Sequence, residues 1–438
     1  MKKPLIYLVA VLSGVSLLQG CSTSKPMVEP FMAPMESDYA LQKNWQVKLA
    51  TLPNRDVEGL FFAESSVHLF IASETGHLAA LKKDNQSRWV DQVTWQVKFD
   101  SPIVSGPTRD GDRILVGTSK GQMIAVAADT GEYLWQKQLS SEVMSRAIVA
   151  EGKIFTRTVD GKLYALNANS GEEIWVVEHQ MPSLSLRGSP AVVYENGVLY
   201  VGWESGSVQA LTVQSGERLW ETRVAVPRGR TDLERMVDVQ ASLVLNGDRL
   251  YALGYHGKLA SIDPRTGNFF FVKEVSGYRD FVVDNSGLYV VDENDVLYGF
   301  DKQSGTQLWK QESFKNRLVG DLSLSGDDIL AVDAWGYLHW VSKVQGVEIG
   351  RVKHSNEYGD GNRILRVFSQ AEKTYLLDDE GIITSYNVKP SNLKQFRIEH
   401  NEQPEMKAEV TNTEDGEAAK KSDDQAWWDF KLSDIWPF

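Results

Sequence analysis

The sequence predicts an all-β fold: an eight-bladed β-propeller of four-stranded antiparallel blades, its ring closed by an N-terminal strand. Three observations predict it. A short strand motif recurs eight times at a spacing near that of propeller blades. A Gly-containing turn and a large aromatic residue follow the motif at fixed distance in most copies. A second hairpin precedes the motif in most copies, which completes four strands per repeat.

The motif reads GHLAAL from Gly76, GQMIAV from Gly121, GKLYAL from Gly161 and GSVQAL from Gly206. It continues as GKLASI from Gly257, DVLYGF from Asp295, GYLHWV from Gly336 and GIITSY from Gly381. In the most regular copy, Gln122–Val126 alternates as a strand, Asp129-Thr130-Gly131 turns, and Trp135 sits on the next strand. One hairpin is marginal in water, so the unit has to repeat in order to be stable. The earlier hairpin reads RDGDRILVG, AEGKIFTRT, YENGVLYVG, LNGDRLYAL and DNSGLYVVD in five copies.

The aromatic column runs Trp45, Trp95, Trp135, Trp175, Trp220, Phe271, Trp309 and then Gly350. It starts before the first blade motif and is lost at its last position. Trp45-Gln46-Val47-Lys48-Leu49 therefore reads as an outer strand without a blade of its own, and it is expected to close the ring as the outermost strand of the eighth blade. Each aromatic residue is expected between neighbouring blades. The loss at Gly350 marks the weakest expected junction.

Ahead of the propeller, Met1-Lys2-Lys3 and the apolar run Leu5–Leu18 form a signal segment over 1–20. Leu18-Gln19-Gly20-Cys21 has the pattern of a bacterial lipobox, so Cys21 is expected to carry lipid. Ser22 rather than Asp follows it, which implies outer-membrane sorting, with the chain anchored there and facing the periplasm. Residues 21–40 read as the lipidated Cys and a flexible tether, and 41–389 as the propeller. Residues 390–438 read as an acidic, disordered tail that ends in Trp427-Trp428-Asp429-Phe430 and Ile435-Trp436-Pro437-Phe438. The closing aromatics suggest a motif that docks on a partner or folds back on the propeller.

The formal net charge of −13 argues against a nucleic-acid partner. The single cysteine excludes a disulfide within the chain and any Cys-based metal site. The seven histidines stand at no metal-ligand spacing, and Asp110-Gly111-Asp112 reads as a hairpin turn rather than a calcium loop. No nucleophile elbow and no phosphate-binding loop appear. No catalytic, metal or cofactor residue is expected.

Counting against the repeat locates two insertions. Most aromatic-column residues stand 24–27 positions before the next blade motif, but Trp175 stands 31 before Gly206 and Trp220 stands 37 before Gly257. Both insertions are the same kind of connection, from an outer strand to the next inner strand, so they are expected as neighbours on one face. They hold Leu184, Leu186 and Arg187 in the first and the charged run Arg228–Asp238 in the second. Leu184 and Leu186 point the same way if extended. An apolar pair beside Arg suits an interface, although paired leucines also suit the propeller's own core.

The column of Ala-Leu, Thr/Ser-Gly and Trp resembles PQQ-like propeller repeats. Met181–Gly188, Asp232–Val239, Arg279-Asp280-Phe281, Asp292–Asp295 and Gly336–Trp340 resemble the BamB family, lipoproteins of the outer-membrane β-barrel assembly machinery. The resemblance covers about Cys21–Asn387 and leaves out 390–438. It implies a non-enzymatic scaffold of the BAM complex that binds the periplasmic POTRA domains of the barrel subunit BamA. Leu184, Leu186, Arg187 and Asp238 match the family's contact residues. Gln240 stands where the family has a second acid, so one charge is lost there. Unfolded outer-membrane protein chains are a further expected partner, with blade edges as strand templates. Two alternatives stay open: a periplasmic PQQ-dependent oxidoreductase, and a propeller scaffold with another cell-envelope partner. The first typically uses a carboxylate-bound Ca²⁺ and often a vicinal disulfide, and the single cysteine excludes the latter.

Overall fold

The computed structural model describes residues 28–48, 60–83, 92–186, 190–320, 322–356, 359–360, 362–370, 372–392 and 394–395. Cys21, the signal segment, Arg187 and the aromatic terminal motif lie outside the described residues. The described chain forms eight four-stranded antiparallel sheets and one two-residue hairpin ladder, Ser355–Asn356 with Gly359–Asp360. The sheets are the blades. Seven are sequential: residues 62–98, 103–138, 148–178, 193–223, 244–273, 282–311 and 322–353. The eighth takes three strands from residues 364–390 and its outermost strand, Tyr39–Lys48, from the N-terminal side.

That closing strand runs antiparallel to Ile382–Pro390, from Tyr39 opposite Pro390 to Lys48 opposite Ile382, with a bulge between Lys43 and Trp45. It makes the expected closure. It begins two residues before the expected boundary at residue 41. The preceding tether is not wholly free either. Met32 packs against the core between blades 6 and 7, and Arg351 Nη1 donates to the Ala33 carbonyl at 2.8 Å.

The core is divided into eight clusters, one per blade junction, and strand alternation explains the division. In blade 1, Phe70, Ala72, Leu78 and Ala80 face blade 2, where they meet Ile114, Val116 and Ile124. The alternate residues Leu69, Ile71, Ala79 and Leu81 face blade 8 and meet Tyr375 and Ile383. The middle strands are therefore buried on both faces and read as near-continuous apolar runs.

The aromatic column makes a specific contact. The indole N–H of Trp95, Trp135, Trp175, Trp220 and Trp309 donates to a backbone carbonyl of the next blade: Ala128, Ala168, Val213, Pro264 and Lys343, at 2.8–3.3 Å. Each carbonyl stands three residues before a turn glycine, and that glycine lies against the indole. A Cβ on Gly171 would stand 2.5 Å from Trp135, and one on Gly346 would stand 2.4 Å from Trp309. These glycines also have positive φ, 71° at Gly171 and 69° at Gly346. The turn needs glycine for its conformation, and the neighbouring tryptophan needs it for room. Burying one indole removes about 150–250 Å² from water, worth about 4–6 kcal/mol as an upper figure.

Gly350 breaks the column, but its junction is filled. Tyr39, at the start of the closing strand, stacks on Trp340 with ring centroids 4.9 Å apart. Ser37 and Tyr39 occupy the space over Gly350, where a Cβ would stand 2.9 Å and 3.1 Å from them. The Tyr39 hydroxyl bonds the Asp328 carboxylate, and the Lys394 ammonium lies 3.8 Å from the Tyr39 ring centroid. Trp340 itself is fully buried. The expected weak junction is thus packed by an aromatic pair from two distant parts of the chain.

Candidate partner-binding face

Within each blade the chain runs outward from the axis, strand by strand. Antiparallel pairing then puts the connection to the next blade on the same face as the turn between the second and third strands. Residues 179–192 and 224–243 are the two longest connections of this kind; the others are 49–61, 99–102, 139–147, 274–281, 312–321 and 354–363. They flank the turns Trp203–Gly206 of blade 4 and Gly254–Gly257 of blade 5.

The two insertions touch. The Leu186 backbone N–H donates to Asp238 Oδ2 at 3.2 Å. Asp238 is 1% exposed, and its backbone bridges Tyr255 in the blade 5 turn, where the Tyr255 N–H donates to the Asp238 carbonyl at 2.8 Å. Val237 and Val239 on either side are buried, and the Val239 N–H donates to the Trp203 carbonyl at 3.3 Å. Asp238 therefore ties both insertions to the ring, and its carboxylate points at the first insertion rather than outward to water.

Residues 183–186 form no strand, so the two leucines do not share an environment. Leu184 is 46% exposed, whereas Leu186 is half-buried. Arg228 is exposed on the second insertion, and Gln240 is half-buried two residues beyond Asp238. The structure brings Leu186 and Asp238 together with Leu184 beside them. Among the described residues, no hydrogen bond or ion pair joins Arg228 to that group.

The outer part of the second insertion holds its shape by a local device. Thr231 and Glu234 bond reciprocally: the Glu234 N–H donates to Thr231 Oγ1 at 3.2 Å, while Glu234 Oε2 accepts from the N–H groups of Thr231 and Arg230 at 3.1 and 2.6 Å. This is a capping box around a single turn, Asp232–Arg235. The N–H groups of Arg230 and Thr231 hold the Glu234 carboxyl below its ordinary pKa. The turn raises Leu233 to 47% exposure. The Thr-x-x-Glu spacing was the sequence signal for it.

Three aromatic side chains that the repeat does not require extend the face. Tyr255 stacks on His256 with centroids 4.0 Å apart and meets Tyr278 edge-on at 6.0 Å. His256 Nδ1–H donates to the Met236 carbonyl at 3.0 Å, which pins the end of the second insertion. Arg279 lies over Tyr278 and pairs with buried Asp295 at 3.0 Å. The Tyr-His pair stands in the blade 5 turn, in the two positions before the glycine that opens the third-strand motif.

Nearby, buried ions rigidify the same end of the blades. Arg157 Nη2 donates to both Glu204 oxygens at 2.6 Å beneath Trp203. Arg317 pairs with Asp333 at 2.6 Å, and His339 bridges Asp333 and Glu348 at 3.2 and 2.7 Å. Burial opposes charge on His339, but its bonds to the two carboxylates outweigh it and raise its pKa. Every charge in these clusters has a partner inside the fold, which suits a scaffold more than a reacting centre. Among the described residues, no group of three His, Cys, Asp or Glu side chains is placed to hold a metal ion. The face offers exposed leucines and half-buried tyrosines on a stiff base, which is the chemistry of protein recognition.

Comparison with known proteins gives a consistent result. A family model described as outer membrane protein assembly factor BamB matches residues 42–311. Outer membrane protein assembly factor BamB of Escherichia coli (strain K12) is 31% identical over 351 residues, covering 78% of this chain and 90% of that one. The BamB of Shewanella oneidensis is 27% identical over 316 residues, covering 72% of this chain and 66% of that one. The crystal structure of BamB from Moraxella catarrhalis superposes with a TM-score of 0.70 at 22% identity, covering 80% of this chain and all of that one, and so shares the fold.

Proposed function

This chain belongs to the BamB family of outer membrane protein assembly factors, and on that premise we propose that it is a non-enzymatic scaffold of the outer-membrane β-barrel assembly complex. It is anchored in the outer membrane through lipid on Cys21 and faces the periplasm. It presents residues 184–187 and 228–240 to the periplasmic POTRA domains of the barrel subunit BamA, and so assists the assembly and insertion of outer-membrane β-barrel proteins. Leu184 and Arg187 make the contact. Asp238 acts from beneath as a positioning residue, with Gln240 beside it, and Arg228 extends the charged rim.

The observation that carries this reading is the Leu186–Asp238 hydrogen bond, which joins the two insertions on one face. An exposed leucine held over a rigid ring suits a binding hot spot, because little conformational entropy is left to lose on docking. The test replaces Leu184, Leu186 and Arg187 by Ala in the full chain and measures co-purification with the barrel subunit. Loss of co-purification with unchanged thermal stability supports the face. Full retention by a folded triple variant overturns it.

A further inference from the structure

We propose that the central channel of the ring is a binding site for an oxyanion, a carboxylate or phosphate group, gripped by Arg146, Arg366 and Arg109. A cavity of about 390 Å³ opens on the innermost strands of blades 8, 1 and 2, and these three arginines line it together with Phe61. The Arg146 guanidinium lies 5.1 Å from the Phe61 ring centroid, and that of Arg366 lies 5.5 Å from the same centroid. The one acidic residue in the lining, Glu64, is already engaged by Lys83 at 2.5 Å and by Gln370 at 2.6 Å. The cavity is therefore cationic, in a chain whose net charge is −13.

The three arginines stand in different states. Arg366 is held by the fold, since its Nε and Nη1 donate to the carbonyls of Leu60 and Leu365, both at 2.8 Å. Arg109 is exposed at the rim of the cavity. Arg146 is half-buried, and among the described residues its guanidinium makes no hydrogen bond and no ion pair. Burial lowers its pKa, opposed by attraction to Asp280. Its guanidinium carries five N–H donors that no acceptor among the described residues takes up, so at the cavity wall they are free to meet a ligand in place of water. A planar oxyanion satisfies them in pairs, and the Phe61 ring screens the site from water on one side and strengthens the attraction. The volume suits a small anion or one acidic side chain of a peptide.

This site is independent of the face described above, and it is tested separately. The full chain in detergent is titrated with citrate and with inorganic phosphate by calorimetry, alongside Arg146→Gln and Arg109→Gln. The expected result is saturable binding of at least one anion, weakened at least tenfold by Arg146→Gln and severalfold by Arg109→Gln. The Arg146 guanidinium holds no group among the described residues by a hydrogen bond or an ion pair, so its variant is expected to melt close to the parent, with only the Phe61 contact and the attraction to Asp280 lost. A hexaglutamate peptide that competes with the bound anion identifies a polypeptide carboxylate as the source. A peptide that fails to compete identifies a free small anion. Absence of saturable binding by both anions, or equal affinity in a folded Arg146→Gln variant, overturns the proposal.

Discussion

The Leu186 backbone N–H donates to the carboxylate of Asp238 across 52 residues of sequence, at 3.2 Å. Through this bond an insertion between blades 3 and 4 is held by one between blades 4 and 5, and exposed Leu184 is carried on the result. Asp238→Ala removes the acceptor and leaves a backbone donor without it, so a loss of about 1–3 kcal/mol is expected. Leu184→Ala removes only exposed surface and should change stability by less than about 0.5 kcal/mol. Thermal unfolding of the two variants checks this contrast.

The tryptophan-glycine contact between blades predicts strong coupling. Trp135→Ala should cost about 3–5 kcal/mol through the cavity it leaves. Gly171→Ala should cost about 2–5 kcal/mol, because it forces a side chain into positive φ and against the indole. The double variant should lose clearly less than the sum, since removing the indole makes room for the new methyl group. Urea unfolding of the three variants gives the coupling directly.

The regular part of this architecture was legible in the sequence because it is local and periodic. The motif, the turn glycine and the outer tryptophan lie within fifteen residues of one another in Gly121–Trp135, and the closing strand was marked by a tryptophan with no blade of its own. Counting residues against that period also located both insertions. The Tyr39–Trp340 stack was not legible, because Gly350 shows only that an aromatic residue is missing and nothing local says that one arrives from the start of the chain. The role of Asp238 was hidden for a related reason. An acidic residue in a charged run reads as solvated, and only the tertiary fold shows it buried beneath Leu186.

Ring closure predicts an ordered pair of effects at Tyr39. Tyr39→Phe keeps the stack on Trp340 and loses the bond to Asp328, so a cost of about 1–2 kcal/mol is expected. Tyr39→Ala opens the space over Gly350 and should cost about 3–5 kcal/mol. Amide exchange should accelerate in Ile382–Pro390 for both variants, and more for the alanine.

The His339 cluster predicts a pH dependence of stability. The folded pKa of His339 is raised above its ordinary value near 6.5, so its contribution is fully present below about pH 6.5 and is lost as pH rises through the folded value. Asp333 and Glu348 have lowered pKa values despite burial, with hydrogen bonds from His339 the largest of the stabilising causes, so their contribution is lost in acid. Each unit of elevation at His339 is worth about 1.4 kcal/mol. Raising the pH from 6.5 should therefore lower the melting temperature of the parent chain, and His339→Gln should flatten that slope.

The central claim is that partner binding resides on the face built by the two insertions and not on exposed apolar surface in general. Leu184 and Leu219 make a matched pair for this purpose, since they are 46% and 54% exposed and Leu219 lies on the outer strand of blade 4. The measurement is the affinity of the full chain for the periplasmic domains of the barrel subunit, taken for the parent, Leu184→Ala and Leu219→Ala. At least a tenfold loss for Leu184→Ala with no change for Leu219→Ala is the predicted result. Equal affinity for all three, or a loss confined to Leu219→Ala, would contradict it.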